Sequence, residues 1–434
     1  MDNMGKKVSV INRLQNLVII LLSLSAAFLL LKTPLFGTFS DQTLPELAEG
    51  LFSTEPSSGG EVEVELSGLT APVRVVYTGE YTRCGSDALT MAEDGFSRVG
   101  SLLGEALGSA GAMVPSTEEA FLAALEGSGI YYGFTAGLPL EILCDTLGTS
   151  VPISHAVFVR RALLCPDGDT ANLYLLDQNG TCYAFSTALC SAVLAEFLSS
   201  LEGTDMDFAL TEGDTYSALS PFTLVMAEPT QRYMLSASGS LSTDLSELLR
   251  LAEFNPHTEN RYTESSGTTV VREAYGTLRI AADGTVTYRS GSAESGALYT
   301  VSTDRSVASL TESVAAAQRL ASTLLQKSGG AASLYLSGVE ENAKGCTVTL
   351  DYVIGGTPLR FADGSHAVSV TVEGCNIIAF SLHFRSYALT DIPALLLPIR
   401  QAAAIARKNH AGSELAAFYV DSGAESVGVS WLPN

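Results

Sequence analysis

An apolar run near the N-terminus constrains this chain most. The run LQNLVIILLSLSAAFLLL extends from Leu14 to Leu31, and Lys6, Lys7 and Arg13 precede it. As a helix that rises about 1.5 Å per residue, these residues cover about 27 Å, close to the hydrocarbon thickness of a bilayer. Because basic residues precede the run and acidic residues follow it, the positive-inside rule places the N-terminus in the cytoplasm. The pattern predicts a single-pass protein of the cell membrane whose larger part is extracytoplasmic.

A cleaved signal peptide is the competing interpretation of the same run. Ser25, Ala26 and Ala27 are small residues of the kind found near a cleavage site. The apolar run nevertheless continues past them to Leu31, and no small-residue site follows a polar break. These features favour an uncleaved anchor.

Two small residues mark one face of the predicted membrane helix. Ser23 and Ala27 stand four residues apart, the spacing that lets two membrane helices approach closely. We name them as a candidate contact with a partner's membrane helix. A chance occurrence is the alternative, because small residues are common in such helices.

The charge balance excludes one class of partner. The chain has 24 Lys and Arg against 47 Asp and Glu, a net charge of −23. Nucleic-acid binding depends on clustered basic residues that neutralise phosphates. An acidic chain without such clusters is not expected to bind nucleic acid.

The seven cysteines show neither a CxxC pair nor metal-ligand spacing, and their number is odd. This pattern favours free, mostly buried thiols. A bridge from Cys182 to Cys190 or from Cys346 to Cys375 stays open.

Changes of hydrophobic period and turn signals divide the chain into regions. The predicted fold class is α+β, with an N-terminal transmembrane helix followed by a multi-domain ectodomain of helices packed on antiparallel sheets. The predicted regions are a cytoplasmic tail (1–13), a transmembrane anchor (14–32), a stalk (33–60), an N-terminal α+β domain (61–230), a middle β-rich domain (231–300) and a C-terminal helix–sheet domain with a repeated unit (301–434).

Two dipeptides predict tight hairpin turns. Asn179-Gly180 and Asp283-Gly284 each separate runs of strand-forming residues, and both dipeptides accept the positive φ that such turns require. Asn179 also opens an N-glycosylation sequon, Asn-Gly-Thr, but the turn explains the dipeptide better.

The C-terminal region has the most regular pattern. Apolar residues recur at steps of three and four from Val307 to Leu324, which predicts a helix, and alternate residues from Cys346 to Ile354 predict a strand with one buried face. A second helix is predicted at 394–408, and two more strands follow it. The order suggests a repeated helix-then-hairpin unit.

The segments 251–290, LAEFNPHTENRYTESSGTTVVREAYGTLRIAADGTVTYRS, and 417–434, AFYVDSGAESVGVSWLPN, carry a family resemblance. With the basic tail, the single anchor and the acidic ectodomain, they resemble the YycH and YycI family of anchored extracytoplasmic regulators of the essential cell-wall two-component system in Gram-positive bacteria. The helix and sheet of 307–387 are similar to PepSY-type modules. The resemblance implies a sensor histidine kinase and a companion single-pass regulator as partners, with no catalytic residues and no cofactor.

Motifs of catalysis are missing from the sequence. There is no G-x-S-x-G, no H-E-x-x-H and no Gly-rich phosphate loop. We therefore expect a non-enzymatic protein without metal. The alternatives are an anchored envelope hydrolase assembled from distant residues, and a PepSY-like inhibitory or ligand-binding module. Trp431 is expected to pack at the end of the last strand or to anchor an interface.

Overall fold

The computed structural model describes residues 69–79, 83–86, 94–151, 156–200, 206–226, 230–239, 244–291, 297–302, 306–326 and 328–434. These residues belong to one compact unit, Val64–Asn434. The predicted tail, anchor and stalk lie outside the described residues. The boundaries predicted at 230 and 300 stay predictions.

The described residues form seven α-helices and 22 strands, which confirms a mixed α+β fold. The helices are α1 (Asp94–Gly108), α2 (Glu118–Leu125), α3 (Leu140–Thr146), α4 (Ser191–Ser199), α5 (Leu245–Leu251), α6 (Leu310–Leu325) and α7 (Ile399–Asn409). The strands are β1 (Arg74–Thr78), β2 (Arg83–Ser86), β3 (Val114–Ser116), β4 (Gly129–Pro139), β5 (Phe158–Asp167), β6 (Thr170–Asp177), β7 (Cys182–Cys190), β8 (Met206–Phe208), β9 (Leu224–Met226), β10 (Tyr233–Ser238), β11 (Arg261–Thr263), β12 (Thr269–Glu273), β13 (Gly276–Ile280), β14 (Thr285–Ser290), β15 (Ser333–Asn342), β16 (Gly345–Ile354), β17 (Thr357–Phe361), β18 (Val368–Glu373), β19 (Asn376–His383), β20 (Ser386–Pro393), β21 (Leu415–Asp421) and β22 (Ser426–Pro433).

The N-terminal part is an antiparallel sheet of seven strands in the order β2-β1-β4-β5-β6-β7-β3. Both of its faces are covered. Ile130 and Leu164 point to the face on which α4 packs, while Tyr131 and Leu163 point to the face under α2. The Thr117 hydroxyl caps α2 by accepting a hydrogen bond from the Ala120 N–H.

The C-terminal part is a second sheet in the order β11-β12-β13-β14-β19-β18-β16-β17-β21-β22-β10-β20, and β15 pairs with β16. Its pairs are antiparallel except for β17 with β21, which is parallel. Helix α6 packs on β16 and β18. It buries Val314, Ala317, Ala321 and Leu324 on the stripe that the sequence predicts.

The predicted turns at the two dipeptides are confirmed. Gly180 has φ of 85° between β6 and β7, and Gly284 has φ of 91° between β13 and β14. Leu278 and Val286 on either side of the second turn are fully buried. The strands β13 and β14 therefore form an antiparallel hairpin with one buried face.

Two helix boundaries differ from the predictions. Helix α7 begins at Ile399 rather than near 394, because Pro398 stands just before it and disfavours helical backbone in the residue that precedes a proline. Val307 is exposed and lies before the start of α6, at which Ser309 forms a capping box with Glu312. A prediction from the apolar spacing alone therefore placed the start of both helices too early.

No disulfide joins the cysteines, all of which are among the described residues. Cys144 and Cys165 are buried. Burial raises the pKa of each of these two thiols to about 11, so both stay protonated at neutral pH.

Candidate protein-interaction surface

The large sheet ends at strand β20. One edge of β20 pairs with β10, with Leu235 opposite Leu389 and Tyr233 opposite Pro393. Near its start, Tyr387 forms a single bridge with Gly330. Beyond that bridge, no strand of the described chain pairs with its outer edge. A free edge of this kind is open to pairing with another chain.

Exposed apolar side chains are concentrated around this strand. Of ten large hydrophobic residues that are exposed in the described part of the chain, six lie on β10, β20, the following loop or α7. Leu395, with 94% of its surface exposed, is the extreme case. The six are Tyr233, Leu389, Ile392, Leu395, Leu397 and Ile405. Together with Trp431 we call them the apolar edge surface.

A groove of about 360 Å³ runs through the apolar edge surface. The loop residues Leu395 and Leu397, Ile405 on α7 and Trp431 on β22 are among the residues that line it. The Trp431 indole N–H donates a 2.8 Å hydrogen bond to the Leu397 carbonyl oxygen. Trp431 is half-buried: it packs near the end of the last strand and lines the groove, and its role as an interface anchor stays a prediction.

The local sequence explains why these side chains point outward. Pro393 and Pro398 bracket the segment ALLL, and proline disfavours helix in the residue before it. The leucines are thus held in a loop between β20 and α7. A run of apolar residues exposed in this way is costly in water unless another surface covers it.

Helix α7 has an unusual distribution of side chains. Its buried face consists of Ala402, Ala403 and Ala406, which pack with Leu415, whereas the large Ile405 is exposed. An ordinary surface helix buries its large apolar residues and exposes polar ones. The outer face of α7 therefore presents Ile405 beside the exposed leucines of the preceding loop.

The helix is also basic within an acidic protein. Arg400, Arg407 and Lys408 are exposed on α7, although the whole chain carries a net charge of −23. The positive rim complements a partner surface that carries acidic residues.

The candidate residues Ser23 and Ala27 lie outside the described residues, so the structure does not place them. No helix in the described ranges combines the length and the hydrophobicity that membrane crossing requires. In the same ranges, no group of three His, Cys, Asp or Glu residues is arranged to hold a metal ion.

The fold is that of a mixed α+β protein in which two large, mainly antiparallel sheets and their helices share one apolar core. The same fold occurs in the crystal structure of YycH from Bacillus subtilis, with a TM-score of 0.54 and 10% sequence identity over 84% of this chain and 94% of that chain. No family model matches the sequence. No curated protein matches it either. The similarity establishes a YycH-like fold.

The sequence predictions missed this surface. Strand β20 pairs with β10, whose residues are about 150 positions earlier, and a pairing of that range leaves no local signal. The signal that was present is the segment IPALLLPI, because three leucines between two prolines fit neither a helix nor an alternating strand.

Proposed function

We propose that this chain is a non-catalytic regulator of the cell envelope that binds a sensor histidine kinase and modulates two-component signalling. It is anchored by residues 14–32, with a cytoplasmic N-terminus and an extracytoplasmic C-terminal part. A companion single-pass protein is the second proposed partner. The observation that carries the proposal is the apolar edge surface at the free end of the large sheet, in a fold shared with YycH.

The proposed occupant of this surface is an apolar segment of the kinase's extracytoplasmic part that carries acidic residues at its margin. Apolar residues would cover Leu395 and Ile405, and acidic residues would pair with the basic rim of α7. Strand pairing to β20 would add backbone hydrogen bonds.

Regulation requires only that this contact differs between the kinase's signalling states. A ligand that binds one of two conformations more tightly shifts the population toward it by that difference in affinity. Covering the apolar edge surface in one state and not in the other would supply the difference.

The proposal is tested by affinity capture of the full-length protein from gently solubilised membranes of its native host. We expect a sensor histidine kinase and a single-pass protein to be recovered with the wild type, and the kinase to be lost with Leu395→Asp. Val193→Asp on α4 is the matched control, since Val193 is also exposed but lies outside the apolar edge surface.

The variants assign the contact. Loss of the kinase with Leu395→Asp and not with Val193→Asp supports the proposal. If the wild type, Leu395→Asp and Val193→Asp all recover the kinase, the apolar edge surface is not the binding site. If the wild type recovers no kinase, the proposed function itself is wrong. A version without residues 1–32 reports whether the membrane helix is also needed.

A PepSY-like ligand-binding module is the second candidate function, and the groove beside Trp431 favours it. This function predicts that an apolar small molecule quenches or shifts the fluorescence of Trp431, the one tryptophan of the chain. A screen of apolar envelope molecules with this signal separates the two candidates.

A further inference from the structure

A group of arginines lies where the two large sheets meet. Arg74, Arg160, Arg161 and Arg360 come from β1, β5 and β17, and we call them the arginine cluster. Such a concentration of positive charge is unexpected in a chain with a net charge of −23. Its chemistry differs from that of the apolar edge surface, although Pro433, which accepts a hydrogen bond from Arg360, also lines the groove there.

One buried carboxylate organises part of the cluster. Arg74 on β1 and Arg161 on β5 both stand opposite Gly133 of β4, which lies between them. Glu414, with only 5% of its side chain exposed, accepts hydrogen bonds from both guanidinium groups. The Tyr131 ring occupies the space beside Gly133 that a side chain there would take.

Arg160 is held differently. The pairing of β4 with β5 is irregular at this position, and the Arg160 guanidinium donates to the Thr135 carbonyl oxygen. Burial, together with the nearby positive charges of the other three arginines, lowers the pKa of Arg160 to about 10. Burial and the neighbouring arginines therefore disfavour the charged form of Arg160.

Arg160 and Arg360 form no ion pair within the described part of the chain. Arg360 lies 4.1 Å above the Phe418 ring and donates to the Pro433 carbonyl oxygen at 2.6 Å. Asp351 is near Arg360, but it accepts hydrogen bonds from other groups, the His366 ring and the Ala367 N–H. Two guanidinium charges thus lack a dedicated counter-charge.

Two buried polar atoms beside these arginines have no hydrogen-bond partner among the described residues. They are the Tyr131 hydroxyl and the Arg161 Nε. Only 1% of the Tyr131 surface is exposed. Its hydroxyl lies 3.1 Å from the position that a Cβ would take at Gly133. Both Tyr131 and Arg161 also contact the Phe222 ring.

The chemistry of these groups defines the ligand. A guanidinium only donates hydrogen bonds and a tyrosine hydroxyl can donate one, so their common partner must be rich in acceptors. Burying positive charge without a counter-charge is costly, so that partner must be anionic. A phosphoryl group carries about −1.5 to −2 at neutral pH and several acceptor oxygens, which matches two unpaired guanidinium charges.

We propose that the arginine cluster binds a phosphoryl oxyanion through Arg160, the Nε of Arg161 and the Tyr131 hydroxyl. Arg360, from the second sheet, adds positive charge near Arg160, so the proposed anion lies near the junction of the two sheets. Its source is either free phosphate or a phosphate monoester. This site is independent of the proposed kinase contact.

The test uses the full-length protein, purified in detergent and phosphate-free buffer. Its thermal midpoint and the ³¹P linewidth of inorganic phosphate are measured at constant ionic strength, with glycerol phosphate and acetate as further probes. We expect saturable stabilisation by phosphate or glycerol phosphate. Binding of inorganic phosphate identifies a free source, and binding of glycerol phosphate alone identifies an ester.

Two variants and one control test the residues. Arg160→Gln is expected to weaken phosphate binding by about tenfold or more. Tyr131→Phe, which keeps the packed ring, is expected to weaken binding by about threefold to tenfold without lowering the phosphate-free midpoint. Arg279→Gln removes an exposed arginine that pairs with Glu264 elsewhere, and it should leave phosphate binding unchanged.

Several outcomes would overturn the proposal. They are the absence of saturable binding, stabilisation by acetate alone, and equal phosphate binding by wild type and both variants. A high-resolution structure grown in phosphate that shows an ordered water only, between the Tyr131 hydroxyl and Arg161, would do the same. If Arg160→Gln does not fold, Tyr131→Phe still decides the question.

Discussion

The indole N–H of Trp431 donates a hydrogen bond of 2.8 Å to the carbonyl oxygen of Leu397. This bond ties the loop after β20 to the last strand of the chain. It also satisfies the only polar atom of the indole, so the ring can line the groove with its apolar part. The loop is thereby fixed while Leu395 stays exposed.

Replacing Trp431 by Phe tests this bond. The variant keeps an aromatic ring in the groove, although a smaller one, and removes the hydrogen-bond donor. We therefore expect the free energy of unfolding to fall by about 1 kcal/mol. Denaturant unfolding of the full-length protein measures the change. An unchanged midpoint and slope would show that the bond does not hold the loop.

Asp421 is expected to be essential for the stability of the large sheet. Its side chain is almost fully buried and accepts two hydrogen bonds from Arg385, at 2.7 and 2.9 Å, and one from the Tyr387 hydroxyl. Asp421→Asn leaves the guanidinium without its counter-charge and should cost about 3 kcal/mol. Chemical unfolding of the variant, compared with Asp244→Asn at an exposed position, measures this cost.

The same carboxylate predicts a dependence on acid. Burial alone would raise the pKa of Asp421, but the hydrogen bonds from Arg385, Tyr387 and the Gly423 N–H outweigh it and lower the pKa. Its contribution to stability is therefore complete above the unfolded-state pKa of about 3.9 and is lost as the pH falls through the lower folded-state value. We expect the wild type to lose more stability than Asp421→Asn between about pH 4 and pH 2. Parallel loss in the two proteins would contradict this assignment.

His366 predicts the opposite dependence on pH. Its Nδ1 lies 2.9 Å from an oxygen of Asp351, and this hydrogen bond raises the pKa of His366 although burial opposes the shift. The stabilisation is complete below the unfolded-state pKa of about 6.5 and is lost as the pH rises through the folded-state value. NMR titration of the His366 ring should give a midpoint above about 6.5. A midpoint at or below that value would mean that the ion pair does not form in solution.

Gly284 should tolerate no side chain. It has φ of 91°, and a Cβ there would come within 2.7 Å of the carbonyl oxygens of Gly239 and Phe384. We expect Gly284→Ala to destabilise the protein by more than about 1 kcal/mol. Gly364→Ala is the matched control for positive φ alone, because nothing lies within 4 Å of a Cβ at that position. Equal losses in the two variants would show that close approach adds nothing to the backbone strain.

Local patterns predicted the parts of the fold that depend on local physics. The turns at Gly180 and Gly284 and the buried stripe of α6 follow from dihedral preference and hydrophobic period, and the structure contains all three. The start of α7 was predicted too early, because Pro398 outweighs the apolar period there.

The candidate sites depend on contacts between distant residues, so the sequence alone could not assemble them. Arg161 and Glu414 are 253 positions apart. Tyr233 of the predicted middle region pairs with Pro393 of the predicted C-terminal region. A local signal existed for the arginine cluster, since Arg160 and Arg161 interrupt the apolar strand VFVRRALLC. Two adjacent arginines inside a buried strand must meet a carboxylate or a ligand, and only the tertiary structure shows which groups are near.

Site-specific photo-crosslinking in the native host tests directly whether the apolar edge surface contacts a sensor histidine kinase. A photoreactive amino acid is placed at Leu395, or at Val193 as the exposed control outside the apolar edge surface. We expect a crosslink from position 395 to a sensor histidine kinase and none to that kinase from position 193. A kinase crosslink from 193 alone, or from neither position, would contradict it.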